Sequence, residues 1–234
     1  MIDRRQLLKR VAAGGAAAFL TAGAGSENAR SREIWTFDSL RRIGGMSPGV
    51  EGSPTLVRSP FGRALQFDGL HDALFFERHP LAGASRFTFE ALFRPDGGAF
   101  EQRWFHLESE EAGVSPGRGS TRMLFEIRVI QESWYLDAFV KGPGYSQALM
   151  VSEKRFPLGR WYHVAQTFDG QTYRSYVDGQ LQAQALVPFR PQGPGRSSVG
   201  IRLNRVNPFR GAVRAAAFTR DMALHPAAFL LAPA

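Results

Sequence analysis

From about Glu33 onward, apolar residues recur at every second position. No stretch of useful length shows the three-to-four-residue apolar repeat of a helix until the last ten residues. Such a chain must build sheets, because a period of two sends alternate side chains to opposite faces of an extended backbone. Ile34 to Asp38 reads as a first strand. A long Gly/Pro/Ser-rich connection follows through Pro60. The clearest alternation is Phe87-Thr88-Phe89-Glu90-Ala91-Leu92-Phe93-Arg94, which stops at Pro95. Comparable runs are Ala64–Phe67, Ala73–Glu77, Arg103–Glu108, Met123–Ile130, Trp134–Val140, Ala148–Ser152, Trp161–Phe168, Thr172–Val177, Leu181–Leu186, Val199–Leu203 and Gly211–Phe218. About a dozen short strands separated by turn residues predict an all-β fold of two antiparallel sheets packed as a sandwich. A propeller would need an internal repeat, and none is visible. Asp169-Gly170 and Asp178-Gly179 each sit between extended runs and predict two tight hairpins whose turn residues take positive φ. Pro226 to Leu231 reads as a short terminal helix.

The composition agrees. There are 4 Trp, 5 Tyr and 19 Phe among 234 residues, with 25 Gly and 14 Pro to turn the chain. Cysteine is absent, which excludes disulfides, thiolate metal sites and cysteine nucleophiles. A chain of this size removes roughly 70% of its unfolded surface from water, so a packed core suffices without staples. The net charge is +8, carried almost wholly by Arg, since only Lys9, Lys141 and Lys154 are lysines.

The first residues belong to a different plan. Asp3-Arg4-Arg5-Gln6-Leu7-Leu8-Lys9 resembles a twin-arginine export motif, followed by a short Ala/Gly-rich apolar stretch, Val11 to Leu20, and an Ala22-Gly23-Ala24 cleavage site. The reading is a signal peptide over 1–24, with Arg4 and Arg5 as its recognition pair, a linker over 25–32, and one domain over 33–234. The apolar stretch falls short of the ~18 residues of a spanning helix, and no later segment reaches that length, so no membrane span is expected in the mature chain. Removing the leader lowers the net charge to +5. The expected location is periplasmic or extracellular.

The sequence Gly159-Arg160-Trp161-Tyr162-His163-Val164-Ala165-Gln166-Thr167-Phe168-Asp169-Gly170, followed by Tyr176-Val177-Asp178-Gly179-Gln180-Leu181, resembles the signature hairpins of laminin G-like jelly-roll domains in the concanavalin A-like lectin/glucanase superfamily. Gly62–Gly69, Phe87–Phe93 and Phe209–Val213 resemble, in order, the family's opening, first core and closing strands. The resemblance implies a jelly-roll sandwich. It leaves function open, because the architecture hosts lectins, adhesion modules and hydrolases.

Enzymes of the superfamily that cleave β-glucans resemble one another in an E-x-D-x-E strand. Here the nearest run, Glu126-Ile127-Arg128-Val129-Ile130, keeps one carboxylate and puts Arg where Asp would stand. No catalytic residue is therefore assigned. Strand phase gives a different candidate. Trp104, His106 and Glu108 alternate with Phe105 and Leu107; Glu126 and Arg128 lie opposite Met123, Phe125, Ile127 and Val129; Tyr135, Asp137 and Phe139 lie opposite Trp134, Leu136, Ala138 and Val140. If the three strands are neighbours, their outer face gathers Trp104, His106, Glu108, Glu126, Arg128, Tyr135 and Asp137. Carbohydrate recognition needs this mixture, with Trp104 and Tyr135 stacking on sugar rings and Arg128 and the carboxylates orienting hydroxyls. Glu108 and Glu126 would be the acid/base pair if the face were catalytic.

Many relatives carry a structural Ca²⁺ with an Asp just after the closing strand's Ile or Val. Here Val213 precedes Arg214, a cation that would repel the metal, so no metal is expected, although Asp68 and Asp72 share a loop. His71, His79, His106, His163 and His225 have no zinc-site spacing; His163 and Trp161, in the signature strand, read as packed core residues. No cofactor motif, nucleotide motif or nucleic-acid module is present. The leading expectation is an exported lectin-like module that binds a polysaccharide or other glycan without cleaving it. A cell-envelope protein-interaction module and a divergent glycoside hydrolase or polysaccharide lyase are the alternatives.

Overall fold

The structure, a computed structural model, describes residues 31–232. The leader 1–24 and most of the linker 25–32 lie outside the described residues. Sixteen strands follow one another: β1 (Arg32–Thr36), β2 (Gly49–Glu51), β3 (Thr55–Ser59), β4 (Gly62–Asp68), β5 (Ala73–Phe76), β6 (Phe87–Pro95), β7 (Glu101–Ser109), β8 (Arg122–Ile130), β9 (Ser133–Gly142), β10 (Tyr145–Met150), β11 (Phe156–Pro157), β12 (Tyr162–Phe168), β13 (Thr172–Val177), β14 (Gln180–Leu186), β15 (Gly195–Val199) and β16 (Arg210–Arg220). They form two antiparallel eight-stranded sheets. The first runs β14-β13-β12-β6-β16-β4-β3, with β1 also on β16; the second runs β10-β9-β8-β7-β15-β5-β2, with β11 on β9.

The core lies between the sheets and is largely aromatic. Phe89 of the first sheet has its ring 4.4 Å from Phe125 and 5.1 Å from Phe105 of the second, and 5.0 Å from its own neighbour Phe218. Each fully buried Phe contributes roughly 1.5–3 kcal/mol, which explains how a chain without cysteines holds two sheets together. The outer faces differ. Residues after β16 fold back across the first sheet, where Leu224 and Phe229 pack on Ala165 and Tyr176. Beneath this cover Glu90 and His163 are fully buried, with Nε2 3.0 Å from Glu90 Oε2, and Leu231 N–H donates to the same carboxylate oxygen. His163 is thus a packed, hydrogen-bonded histidine, as its signature strand implies.

Several details depart from the sequence reading. The connection through Pro60 contains β2 and β3, short edge strands whose side chains are largely exposed and so lack a clean apolar alternation. The terminal helix reduces to one 3-10 turn, Pro226–Ala228. Val199–Leu203 is the end of β15 and a loop. Of the two Asp-Gly turns, Asp178-Gly179 has φ of 47° and 73°, as its hairpin type requires. Asp169 instead has no positive φ and closes its turn through its side chain, whose Oδ1 accepts from Gln171 and Thr172 N–H.

Candidate functional site

The second sheet keeps part of its outer face, over β8 to β10, open to a groove. On β8 and β9 the face follows the expected phase: Met123, Phe125, Ile127, Val129, Trp134, Leu136, Ala138 and Val140 join the core, leaving Arg122, Leu124, Glu126, Arg128, Tyr135, Asp137 and Phe139 outside. On β7 the phase breaks. Arg103 pairs with Glu126 and Phe105 with Phe125, so Trp104 is the extra residue of a β-bulge. Trp104 and Phe105 both turn inward. Trp104 is fully buried, stacked 4.4 Å from Phe93 with the rings 6° apart and 5.4 Å from Phe125. The expectation that Trp104 is a surface stacking platform is therefore overturned. Tyr135 is 8% exposed, so the second expected platform offers little ring face.

His106 and Glu108 do lie on the outer side, but the β7–β8 loop (110–121) is folded over them. Glu108 Oε1 accepts from Gly117 N–H at 2.6 Å, and Glu111 closes the loop by accepting from Ser120 and Thr121 N–H. His106 Nδ1 accepts from Leu203 N–H, and burial holds its ring well below the usual imidazole range, so it stays neutral. Burial also raises the Glu108 carboxyl. Glu108 sits opposite Arg122, four residues from Glu126 along β8, or about 13 Å of strand. The ladder therefore does not set the two side by side, as the roughly 5–10 Å between the carboxyl groups of a hydrolytic pair would favour. Glu126 instead faces Asp137 across the β8–β9 ladder.

What the sheet brings together is a groove of about 220 Å³ lined by Arg103, Arg122, Glu126, Arg128, Asp137, Phe139, Met150 and Arg202, with Leu124 and Ala148 between them. One end is a closed ionic lattice. Arg103 pairs with Glu101 and Glu126; Arg128 pairs with Glu126 at 3.2 Å and Asp137 at 2.6 Å. Burial, reinforced by the Glu126 charge, pushes the Asp137 carboxyl up to about 7. The other end holds Arg122 and Arg202. Arg122 donates to Gly119 O at 2.7 Å and lies over the Phe139 ring at 5.3 Å; Arg202 donates to Gly117 O at 2.8 Å. Gly117 makes this possible. It adopts φ of +79°, and a Cβ there would fall 2.2 Å from Asn204 N.

Of the seven residues expected, Glu126, Arg128 and Asp137 line the groove; Trp104 is core, His106 and Glu108 are under the loop, and Tyr135 lies aside. Phe139 lies on the outer face as its phase predicts, and Arg122 shares the outer phase of Glu126 and is legible from it. Arg202 lies in Val199–Leu203, which reads as a strand in the sequence, but β15 ends at Val199 and Arg202 comes from the 200–209 loop. Trp161 also differs from its core reading. It is half-buried under Arg94, in a separate cleft of about 640 Å³ with Asp178 and Phe229 on the first sheet. At the calcium position, Arg214 donates to Phe61 O. Asp68 and Asp72 are occupied by backbone N–H groups, and no cluster of three potential metal-ligating side chains occurs among the described residues.

A laminin G-type family model, described as the concanavalin A-like lectin/glucanases superfamily, matches residues 68–223, and the chain belongs to that superfamily. A search of curated proteins returns no significant match. Among solved structures, domain 4 of an extracellular GH43 arabinanase from Geobacillus stearothermophilus, in complex with arabinotriose, superposes with a TM-score of 0.61 at 13% identity, covering 83% of this chain and 94% of that domain. The binding domain of botulinum neurotoxin serotype D gives 0.59 at 11%, covering 86% of this chain and 50% of that one. A Trypanosoma rangeli sialidase gives 0.56 at 14%, covering 83% of this chain and 31% of the sialidase. At these identities the likeness is one of fold.

Proposed function

We propose that the chain is an exported carbohydrate-binding module that holds a saccharide in the groove on the outer face of the second sheet and does not cleave it. The observation that carries this reading is the groove itself, where guanidinium and carboxylate groups are fixed beside Phe139 and Met150 on the part of the second sheet's outer face that the β7–β8 loop leaves uncovered. Hydroxyl-bearing ligands bind where donors and acceptors are preset next to apolar surface. A non-catalytic role is favoured by the ion pairs that tie both groove carboxylates, Glu126 and Asp137, to Arg128 and by the absence of the E-x-D-x-E strand pattern. The arabinanase domain of the same fold, described with arabinotriose, adds support by analogy. Export rests on the resemblance of Arg4-Arg5 and its flanks to a twin-arginine leader.

The test is a binding screen of residues 25–234 against immobilised polysaccharides, alongside Ala148→Trp. Ala148 lines the groove on β10, so an indole there fills the space a sugar would take. Binding by the parent protein and its loss in a variant with an unchanged melt supports the reading. Binding that survives a filled groove removes it.

A further inference from the structure

On the reading that this groove binds a saccharide, we infer that its ligand is an acidic one, whose carboxylate or sulfate docks between Arg122 and Arg202. The groove contains four arginines, and they divide sharply. Arg103 and Arg128 are satisfied by Glu101, Glu126 and Asp137. Arg122 and Arg202 have no carboxylate within 4.0 Å among the described residues, although both are partly buried. The Nε of each is buried without an acceptor, and each guanidinium makes a single hydrogen bond, to the Gly119 and Gly117 carbonyls. The nearby Glu108 carboxylate offsets only part of this charge and makes no ion pair with either, so two partly buried cations facing one space, each held by one neutral carbonyl, are a costly arrangement unless an anion completes it.

The setting is also rigid. The loop that supplies both carbonyls is tied from below by Glu108 and across its neck by Glu111, so the two guanidiniums are fixed before a ligand arrives. Planar guanidinium groups match the oxygen spacing of a carboxylate or sulfate and bind it through paired N–H donors. Neutral sugars would depend more on a bare ring, and the groove's Phe139 lies under Arg122, while Phe100 beside it, exposed, lies under Arg128 at 6.0 Å. The acidic lattice around Glu126 and Asp137 at the far end disfavours a densely charged polyanion such as a nucleic acid. It accommodates a chain on which acidic groups are interspersed with hydroxyls.

The experiment compares binding of residues 25–234 to polygalacturonate, its carboxyl-reduced neutral form, dextran sulfate, dextran and arabinan, with wild type, Arg122→Gln and Arg202→Gln. Charge-assisted hydrogen bonds of this kind predict a roughly ten- to hundredfold loss of affinity in each variant. Preference for polygalacturonate over its reduced form identifies a carboxylate; preference for dextran sulfate over dextran identifies a sulfate. Arg202→Lys, which keeps the charge and loses the fork, should fall between wild type and Arg202→Gln. Should either glutamine variant fold poorly, the melting temperature of wild type with added galacturonate, against galactose at matched ionic strength, gives the same answer. A selective rise supports the site. Equal binding of neutral and acidic glycans, with the arginine variants unaffected, overturns the acidic ligand and leaves a carbohydrate module standing. Binding to none of them, with no galacturonate effect, overturns both.

Discussion

Trp104→Ala is the sharpest test of how β7 is built. The side chain is fully buried between Phe93 at 4.4 Å and Phe125 at 5.4 Å, both nearly parallel to it, and Phe209 closes a third side at 5.6 Å. Truncating a buried Trp costs about 3–5 kcal/mol, because the surrounding rings cannot collapse into the space it leaves. For a domain of this length, each kcal/mol lowers the melting temperature by about 2–4 °C. The expected fall is therefore about 6–20 °C. Trp104→Phe should be much milder, since it keeps a ring in the stack and deletes an indole N–H that is buried without an acceptor. Calorimetry and guanidinium unfolding of residues 25–234 read both variants, with near-ultraviolet dichroism reporting the aromatic stack. A Trp104→Ala melt within about 2 °C of wild type would refute the bulge and return the ring to the surface. A variant this destabilised also says nothing about ligand contact, so its loss of glycan binding would not mark Trp104 as part of the groove.

Asp137→Asn should change the pH dependence of stability. The folded carboxyl ionises near about 7 against an ordinary 3.8, so between about pH 4 and pH 7 the native state holds a proton the unfolded chain has released; stability falls as pH rises through that window, by on the order of 4 kcal/mol at most, and the asparagine variant loses this slope. His79, lowered to about 4 by burial, tilts the wild-type curve the other way over pH 4 to 6.5, so the wild-type minus variant difference is the quantity to measure; a difference flat in pH would exclude a proton held at Asp137. For export, fusing residues 1–30 to a reporter and replacing Arg4 and Arg5 by Lys should stop translocation, and unchanged export of the double variant would dismiss the leader reading.

What was legible in the sequence was whatever the chain encodes locally. Phe87–Arg94 alternates because its strand lies mid-sheet, with one face on the core and the other under the C-terminal segment. The phases of β8 and β9 are readable from their alternation, and they put Glu126, Arg128 and Asp137 together on the outer face, as the register does. Trp104 was misread because a bulge between Arg103 and Phe105 carries no Gly or Pro to announce it. It is fixed by pairing with β8, and by Gly200 N–H donating to the Trp104 carbonyl. His106 and Glu108 were assigned to the right face but not to the loop that covers it, since Glu108 meeting Gly117 and Arg202 meeting the same glycine are contacts between distant segments. Charge on a strand face is visible in a sequence; which charges neutralise one another is decided only by the fold.

The position of β16 bears on how the molecule is made. Residues 210–220 form the last strand in the described chain, yet they occupy the middle of the first sheet, bonded to β6 along one edge and to β4 and β1, in turn, along the other. β1 therefore waits for a partner about 180 residues downstream. No amino-terminal portion can complete that sheet, and a nascent chain short of residue 220 would carry two half-sheets with open edges and an exposed row of phenylalanines. Closure of this sheet must wait until residue 220 has been made, and pairings of such long range are slow to form.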